Sequence, residues 1–273
     1  MTEHLGEPPP PQVLDAFGAR GVPTRLPGGQ GKTWIADGIV LKPVDLIPSE
    51  LEWLGRVGTR LPPHPDLGLS FPLRGKSGRL AEDGWIAFPA IEGRSNPDRW
   101  NDLAAVARRF ASVFRDETRP AFIDERAHAW AQADRVAWDE SASGVLPDRV
   151  TRLDELARAK RPIADPVGIV HGDLAGNVLF ARGKPSAVID LTMYWRPVEY
   201  SVAIIAVDSV CFAGAPLSIF ETISESKNFA QHLVRAAIFR LYTDWLNGVP
   251  PTRFRLYDAA VDRILTLAAQ VDV

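Results

Sequence analysis

Four side chains within residues 169–191, IVHGDLAGNVLFARGKPSAVIDL, have the types and spacing of a phosphoryl-transfer site. Asp173 can take a proton from a hydroxyl. Asn177 and Asp190 can offer oxygens to a Mg²⁺ ion. Phosphoryl transfer needs this set: a base to orient the nucleophile and hard oxygen ligands for the cation that neutralises ATP phosphates. Each residue alone has an ordinary use as a turn or cap residue. Their spacing by two apolar runs, 178–180 and 187–189, argues for more, because catalytic groups cluster on loops held by rigid strands. A hairpin through Gly183, Lys184 and Pro185 would bring Asn177 and Asp190 to one end of the pair. His171 reads as structural support that packs the loop.

A nucleotide also needs a cation and a backbone cradle. Lys42 ends the apolar run IVLK directly after a glycine-rich hairpin, where a lysine can pair ATP phosphates. An edge-strand lysine in solvent is the plainer fate, and the 169–191 stretch tips the balance. A carboxylate to position Lys42 should sit on the following helix. Glu50 shares its apolar face with Leu54 and Val57 and is preferred, whereas Glu52 has Arg56 at i+4 and resembles a solvated pair. Gly28, Gly29 and Gly31 form a turn whose N–H groups can cover phosphates. This turn is not a P-loop: Leu26 occupies the first glycine position, and a strand with an Asp-Gly hairpin follows instead of a helix.

Pattern along the chain supplies the elements that must hold these groups. Residues 1–12 read as a flexible proline-rich leader. Strands are expected at 33–36 and 39–42, around the hairpin turn Asp37-Gly38, with a helix over 49–57 and further strands at 71–73 and 85–88. After the break at 92–97, helices dominate: one capped by Ser95 or Asn96 and running to about 116, then 124–139, 148–160, 198–210, 228–246 and 254–271. The expected fold is α+β and bilobal, with a small antiparallel-sheet N-lobe over residues 1–91 and a larger, mostly helical C-lobe over 92–273. The bulk numbers agree with a globular enzyme. The 273 residues are 46% hydrophobic and 24% charged, with a net charge of −3, which gives no reason to expect nucleic acid or an anionic membrane as partner. The lone cysteine, Cys211, lies among apolar neighbours and reads as structural. No apolar run reaches the length of a membrane span, and the polar N-terminus leaves the cytoplasm as the expected location.

These pieces resemble the aminoglycoside phosphotransferase and choline kinase-type family, small-molecule kinases with a protein-kinase-like fold. The resemblance rests on VLK with Lys42, the helix with Glu50, HGD-x-x-x-N ending at Asn177, and VID ending at Asp190. It extends over roughly residues 20–250 and is most similar to an actinobacterial branch of unassigned substrate, with GGQG-x-TW near the N-terminus and YWRP at 194–197. The resemblance implies that Asp173 is the catalytic base, that Asn177 and Asp190 bind Mg²⁺, that Lys42 meets the α- and β-phosphates, and that Glu50 positions Lys42. It also implies that 85–93, WIAFPAIEG, is a hinge whose backbone at Pro89 and Ile91 meets adenine. Two departures stand out. The asparagine follows the catalytic aspartate by four residues rather than the usual five. The family's acidic residue opening the next helix is replaced by Ser201, with Glu199 nearby as a substitute.

The expected activity is therefore ATP- and Mg²⁺-dependent phosphorylation of a hydroxyl on a small antibiotic- or metabolite-like molecule. A nucleotide-binding pseudokinase acting as scaffold or sensor is the rival, supported by the shortened loop. A protein kinase lacks support, since no A-P-E signature follows Asp190. The acceptor is open: Asp116, Glu117, Asp124, Glu125, Asp139 and Glu140 would suit a cationic one if they formed a cleft, and the eight tryptophans would suit a less polar one.

Overall fold

A computed structural model describes residues 6–27, 31–140 and 151–270. The chain divides into two compact units. The first comprises residues 1–94, 120–122 and 179–191, and the second takes up the remainder.

In the first unit, α1 (Pro11–Phe17) precedes β1 (Thr24–Arg25), β2 (Trp34–Ala36), β3 (Ile39–Pro43), α2 (Pro48–Arg60), β4 (Leu67–Leu69), β5 (Ala81–Glu82) and β6 (Trp85–Pro89). Five strands form an antiparallel sheet in the order β1-β2-β3-β6-β5. The β2–β3 turn works because Asp37 and Gly38 both take positive φ, 50° and 75°. Alternation along the strands then sorts side chains between two helices. Leu41 and its partner Ala87 pack with Val13, Leu14 and Phe17 of α1. Ile86 and Phe88 pack with Leu51 of α2, joined by Val40. Lys42 shares the parity of Val40, so it emerges on the α2 face.

Two expectations for this unit need correction. The leader is not irregular to residue 12, because α1 starts at Pro11, where the fixed φ and missing N–H suit a first helical position. Residues 71–73 are not a strand. Pro72 has no N–H to give a ladder, although Leu73 still donates one bond to the Ala87 carbonyl (2.8 Å). Instead, β4 pairs in parallel with β9 (Ser186–Val188), which follows β8 (Val178–Leu179).

The second unit carries α3 (Trp100–Val113), α4 (Phe122–Glu125, entered from the first unit), α5 (Ala129–Ala137), α6 (Thr151–Ala159), β7 (Gly168–His171), β10 (Met193–Arg196), α7 (Val198–Phe212), α8 (Ile219–Thr222), α9 (Phe229–Leu246), a 3-10 segment Pro251–Tyr257 and α10 (Asp258–Gln270). Helix α3 begins later than expected, since the Asn96 side chain accepts from Asp98 N–H (3.0 Å) and closes a turn instead of capping a helix. The expected 124–139 helix is broken into α4 and α5, with His128 capping α5 through Nδ1. Residues 148–150 of the expected 148–160 helix lie outside the described residues.

Helix α9 is buried on nearly all sides, from Phe229 to Thr243, and packs against α5, α6, α7 and α10. The YWRP segment finds its role here. Arg196 is buried and forks onto Asp134 (2.6 Å) and Glu140 (2.5 Å), and it and Arg235 both lie about 5 Å from the Trp138 ring centroid. His232 of α9, fully buried, bonds Asp165 through Nε2 (2.7 Å). Burial depresses its pKa, with Asp165 opposing. A depressed histidine contributes stability above its unfolded value of about 6.5 and loses it as pH falls below that. Thermal midpoints measured at pH 7.5 and 5.5 should therefore drop further for the native protein than for His232→Gln.

Candidate active site

The 169–191 stretch divides its side chains between the two units. In the second unit, β7 pairs antiparallel with β10, His171 facing Met193 across the ladder, and Gly172 N–H donates to the Thr192 carbonyl (3.0 Å). A Cβ at residue 172 would stand 2.2 Å from Tyr194 Cε2. Tyr194 is buried with its ring against Phe239, so only glycine fits between His171 and Asp173. Gly172→Ala should destabilise the protein by about 1–3 kcal/mol, read as a lower urea midpoint. His171 is buried and edge-on to Phe110. Its ring lies between the N–H groups of Asp173 (3.0 Å to Nδ1) and Thr192 (3.2 Å to Nε2), and a neutral imidazole accepts from one of them. The Ser201 hydroxyl donates to the His171 carbonyl (2.6 Å) from α7. Ser201 thus ties this helix to the loop, whereas Glu199 is taken up by Arg108 and Ser224.

Asp173 is held from two directions. Asn177 Nδ2 donates to its carbonyl (2.8 Å) and to Oδ2 (3.3 Å), so the loop with four-residue spacing still closes on itself. With those donors committed, the Asn177 side-chain oxygen is the atom left to meet a cation. From α9, Arg240 donates through Nη2 to Asp173 Oδ1 (2.8 Å), while its Nε and Nη2 grip the two oxygens of buried Asp208 on α7 (2.8 and 2.5 Å). Burial works against charge on both Arg240 and Asp208. For Arg240 the charges of Asp208 and Asp173, with their hydrogen bonds, outweigh it and hold the guanidinium well above its ordinary pKa; for Asp208 burial prevails and raises the carboxyl pKa, with Arg240 opposing. Burial alone would raise the Asp173 pKa. Arg240, by charge and hydrogen bond and with Asn177 assisting, outweighs it and brings the carboxyl below its ordinary value. The Asp173 side chain remains 44% exposed. It opens into a cavity of about 400 Å³ that lies wholly within the second unit.

In the first unit, Lys42 Nζ pairs with Asp190 Oδ1 (2.8 Å) and with Asp45 Oδ2 (2.9 Å), and lies 5.6 Å from the Phe88 ring centroid. Burial would lower the Lys42 pKa, but the two carboxylates outweigh it and raise it. The loop 179–191 thus returns its terminal aspartate to the β3 lysine. Asp190 does so from a left-handed backbone, φ 51°, a strained state that structures retain at functional sites. Glu50 is buried in the first turn of α2, on the sheet face that bears Lys42. Gly31 has φ 72°, whereas Gly28 and Gly29 lie outside the described residues. Pro89 ends β6 with its ring exposed, and Ile91 is half-buried just beyond.

A model of the phosphotransferase enzyme family (APH) matches residues 37–218, two thirds of the chain. The chain belongs to that family. No curated protein sequence compared with it matches. Among solved structures, the chain is similar to a microcompartment-associated aminopropanol kinase (16% identity, 95% of this chain and 93% of that one, TM-score 0.59). It is also similar to a thermostable mutant of aminoglycoside phosphotransferase APH(4)-Ia in a ternary complex with ADP and hygromycin B (13%, 94% and 97%, 0.59), and to spectinomycin phosphotransferase APH(9)-Ia with ADP and spectinomycin (14%, 96% and 97%, 0.56). At these identities the likeness establishes the fold, which is protein-kinase-like and α+β. With the family, it makes the protein a small-molecule kinase.

Asp45, Asp208 and Arg240 were not singled out from the sequence, though two of them leave a trace there. Asp208 and Arg240 are charges inside apolar helical runs, IIAVDSV and AAIFRLY, where an ion is retained only if paired. What the sequence could not say is that the pair reaches Asp173. Conversely, Asp124, Asp139 and Glu140 do not gather into an acidic cleft; each is closed on a cation, namely Arg119, Lys160 and Arg196.

Proposed function

We propose that this kinase transfers the γ-phosphoryl group of ATP to a hydroxyl of a small molecule, with Mg²⁺ as cofactor. The observation that carries the reading is the Asp173 carboxylate, fixed by Arg240 and Asn177 and facing an open cavity large enough for such an acceptor. In this reading the acceptor oxygen forms a bond to Pγ as the bond from Pγ to the bridging oxygen of ADP breaks. Asp173 receives the hydroxyl proton and releases it to water. Catalysis comes chiefly from positioning and charge neutralisation.

Asp190 and Asn177 are the proposed Mg²⁺ ligands. Their carboxylate and amide oxygens suit a hard cation. Among the described residues no three His, Cys, Asp or Glu side chains group to hold a metal. Mg²⁺ takes one or two protein carboxylates and completes its shell with phosphates and water. When bound, the ion supplies positive charge to the phosphates. Lys42 is the second cation for them, Glu50 supports Lys42, and the backbone at Pro89 and Ile91 meets adenine. Complexes of similar proteins with ADP support a nucleotide here, and those with spectinomycin and hygromycin B support a small acceptor. Among the described residues, no helix is long and apolar enough to cross a membrane. The need for ATP supports the cytoplasm as its place of action.

The test is ADP release by purified protein with Mg²⁺, ATP and an acceptor panel. Acceptor-dependent release that disappears on omitting Mg²⁺ is expected. Nucleotide binding without release in any condition would favour the scaffold reading.

A further inference from the structure

The cavity faced by Asp173 has an unusual charge balance. Three carboxylates line it, Asp173, Asp208 and Asp244, with two guanidiniums, Arg240 and Arg253, leaving a net charge of only −1. The carboxylates are also partly taken up. Arg240 takes both oxygens of Asp208 and one of Asp173, and the Tyr257 hydroxyl donates to Asp244 (2.9 Å). An acceptor carrying several ammonium groups would find few oxygens to replace its hydration.

The same cavity is also lined by an aromatic pair. Phe212, at the end of α7, is 47% exposed and packs edge-on to Tyr257 with centroids 5.6 Å apart. Arg253, from the 3-10 segment, places its guanidinium 5.9 Å from the Phe212 centroid. It is exposed, and no carboxylate among the described residues pairs with it. An exposed ring beneath a guanidinium that has no carboxylate partner is suited to a flat group bearing electron density or negative charge.

We propose that the cavity selects a hydroxylated, ring-bearing acceptor that is neutral or singly negative, its ring against Phe212 and its acidic end at Arg253, and that it disfavours polyammonium acceptors. The proposal rests on the phosphotransferase reading and adds the acceptor's chemical class.

The experiment compares two arms by ADP release at saturating Mg²⁺ and ATP, with nucleotide binding measured in parallel. One arm contains phenyl glucoside, phenyl glucuronide and uridine; the other contains kanamycin and neomycin. Release above the acceptor-free rate is expected in the first arm only. Arg253→Glu should raise KM for phenyl glucuronide by about 10- to 100-fold, as loss of a charge-assisted contact implies. Arg253→Gln should fall between. Equal or better turnover of the aminoglycoside arm overturns the proposal. So does the absence of stimulation by every member of the first arm while nucleotide binds, an outcome that leaves the nucleotide site standing. Failure to bind nucleotide would instead refute the phosphotransferase reading itself.

Discussion

Arg240→Met is expected to destabilise the protein by about 3–5 kcal/mol, because it strands the buried charge of Asp208 without a partner. The second change that should follow separates stability from catalysis. Asp208→Leu combined with Arg240→Met removes both buried charges, and replacing a buried pair by apolar groups is often close to neutral. Urea unfolding should show much of the lost stability returning in the double variant. Phosphoryl transfer should not return with it, since Asp173 loses the Nη2 bond that fixes its carboxylate beside the cavity. If the double variant regains both, Arg240 serves packing alone. If it regains neither, the pair holds more of the α7–α9 contact than its hydrogen bonds show.

The second large effect concerns Asp190. Asp190→Ala should lower turnover by about a thousandfold or more, given that metal charge stabilisation amounts to several kcal/mol. It should also abolish the Mg²⁺ dependence of nucleotide binding. Stability should change little, because the Asp190 side chain is 54% exposed and its pair with Lys42 is correspondingly weak. Lys42 would retain Asp45. Asp45→Ala therefore serves as the comparison: it removes a Lys42 partner outside the proposed metal set and should leave the Mg²⁺ dependence intact. Equal behaviour of the two variants would show that Asp190 acts only as a counter-ion to the lysine.

Short-range chemistry made much of this architecture readable. The Asp37-Gly38 hairpin, the alternation that sends Leu41 and Lys42 to opposite sheet faces, and the apolar stripe Leu103, Val106, Phe110 and Phe114 all follow from spacing within a few residues. Errors arose where a local rule was overridden. Asn96 resembles a cap but its side chain closes a turn four residues early, and the apolar residues around Pro72 resemble a strand but lack a donor. Most of what was missed is long-range. The parallel pairing of β4 with β9 joins residues 67–69 to 186–188, and the bond from Arg240 to Asp173 spans 67 positions. No local periodicity encodes such contacts. Asp45 was missed for a different reason: three residues after Lys42 in a polar loop, it looks like any surface acid.

The most direct test of the central claim is the initial rate of ADP formation by Asp173→Ala, measured with Mg²⁺, ATP and the best acceptor from the panel, alongside the ATP dissociation constant. A carboxylate that orients and deprotonates the acceptor predicts a rate lower by about 10²- to 10⁴-fold, with ATP affinity unchanged, because Asp173 faces the acceptor cavity and bonds to Arg240 and Asn177. A variant that forms ADP at the native rate would contradict the account.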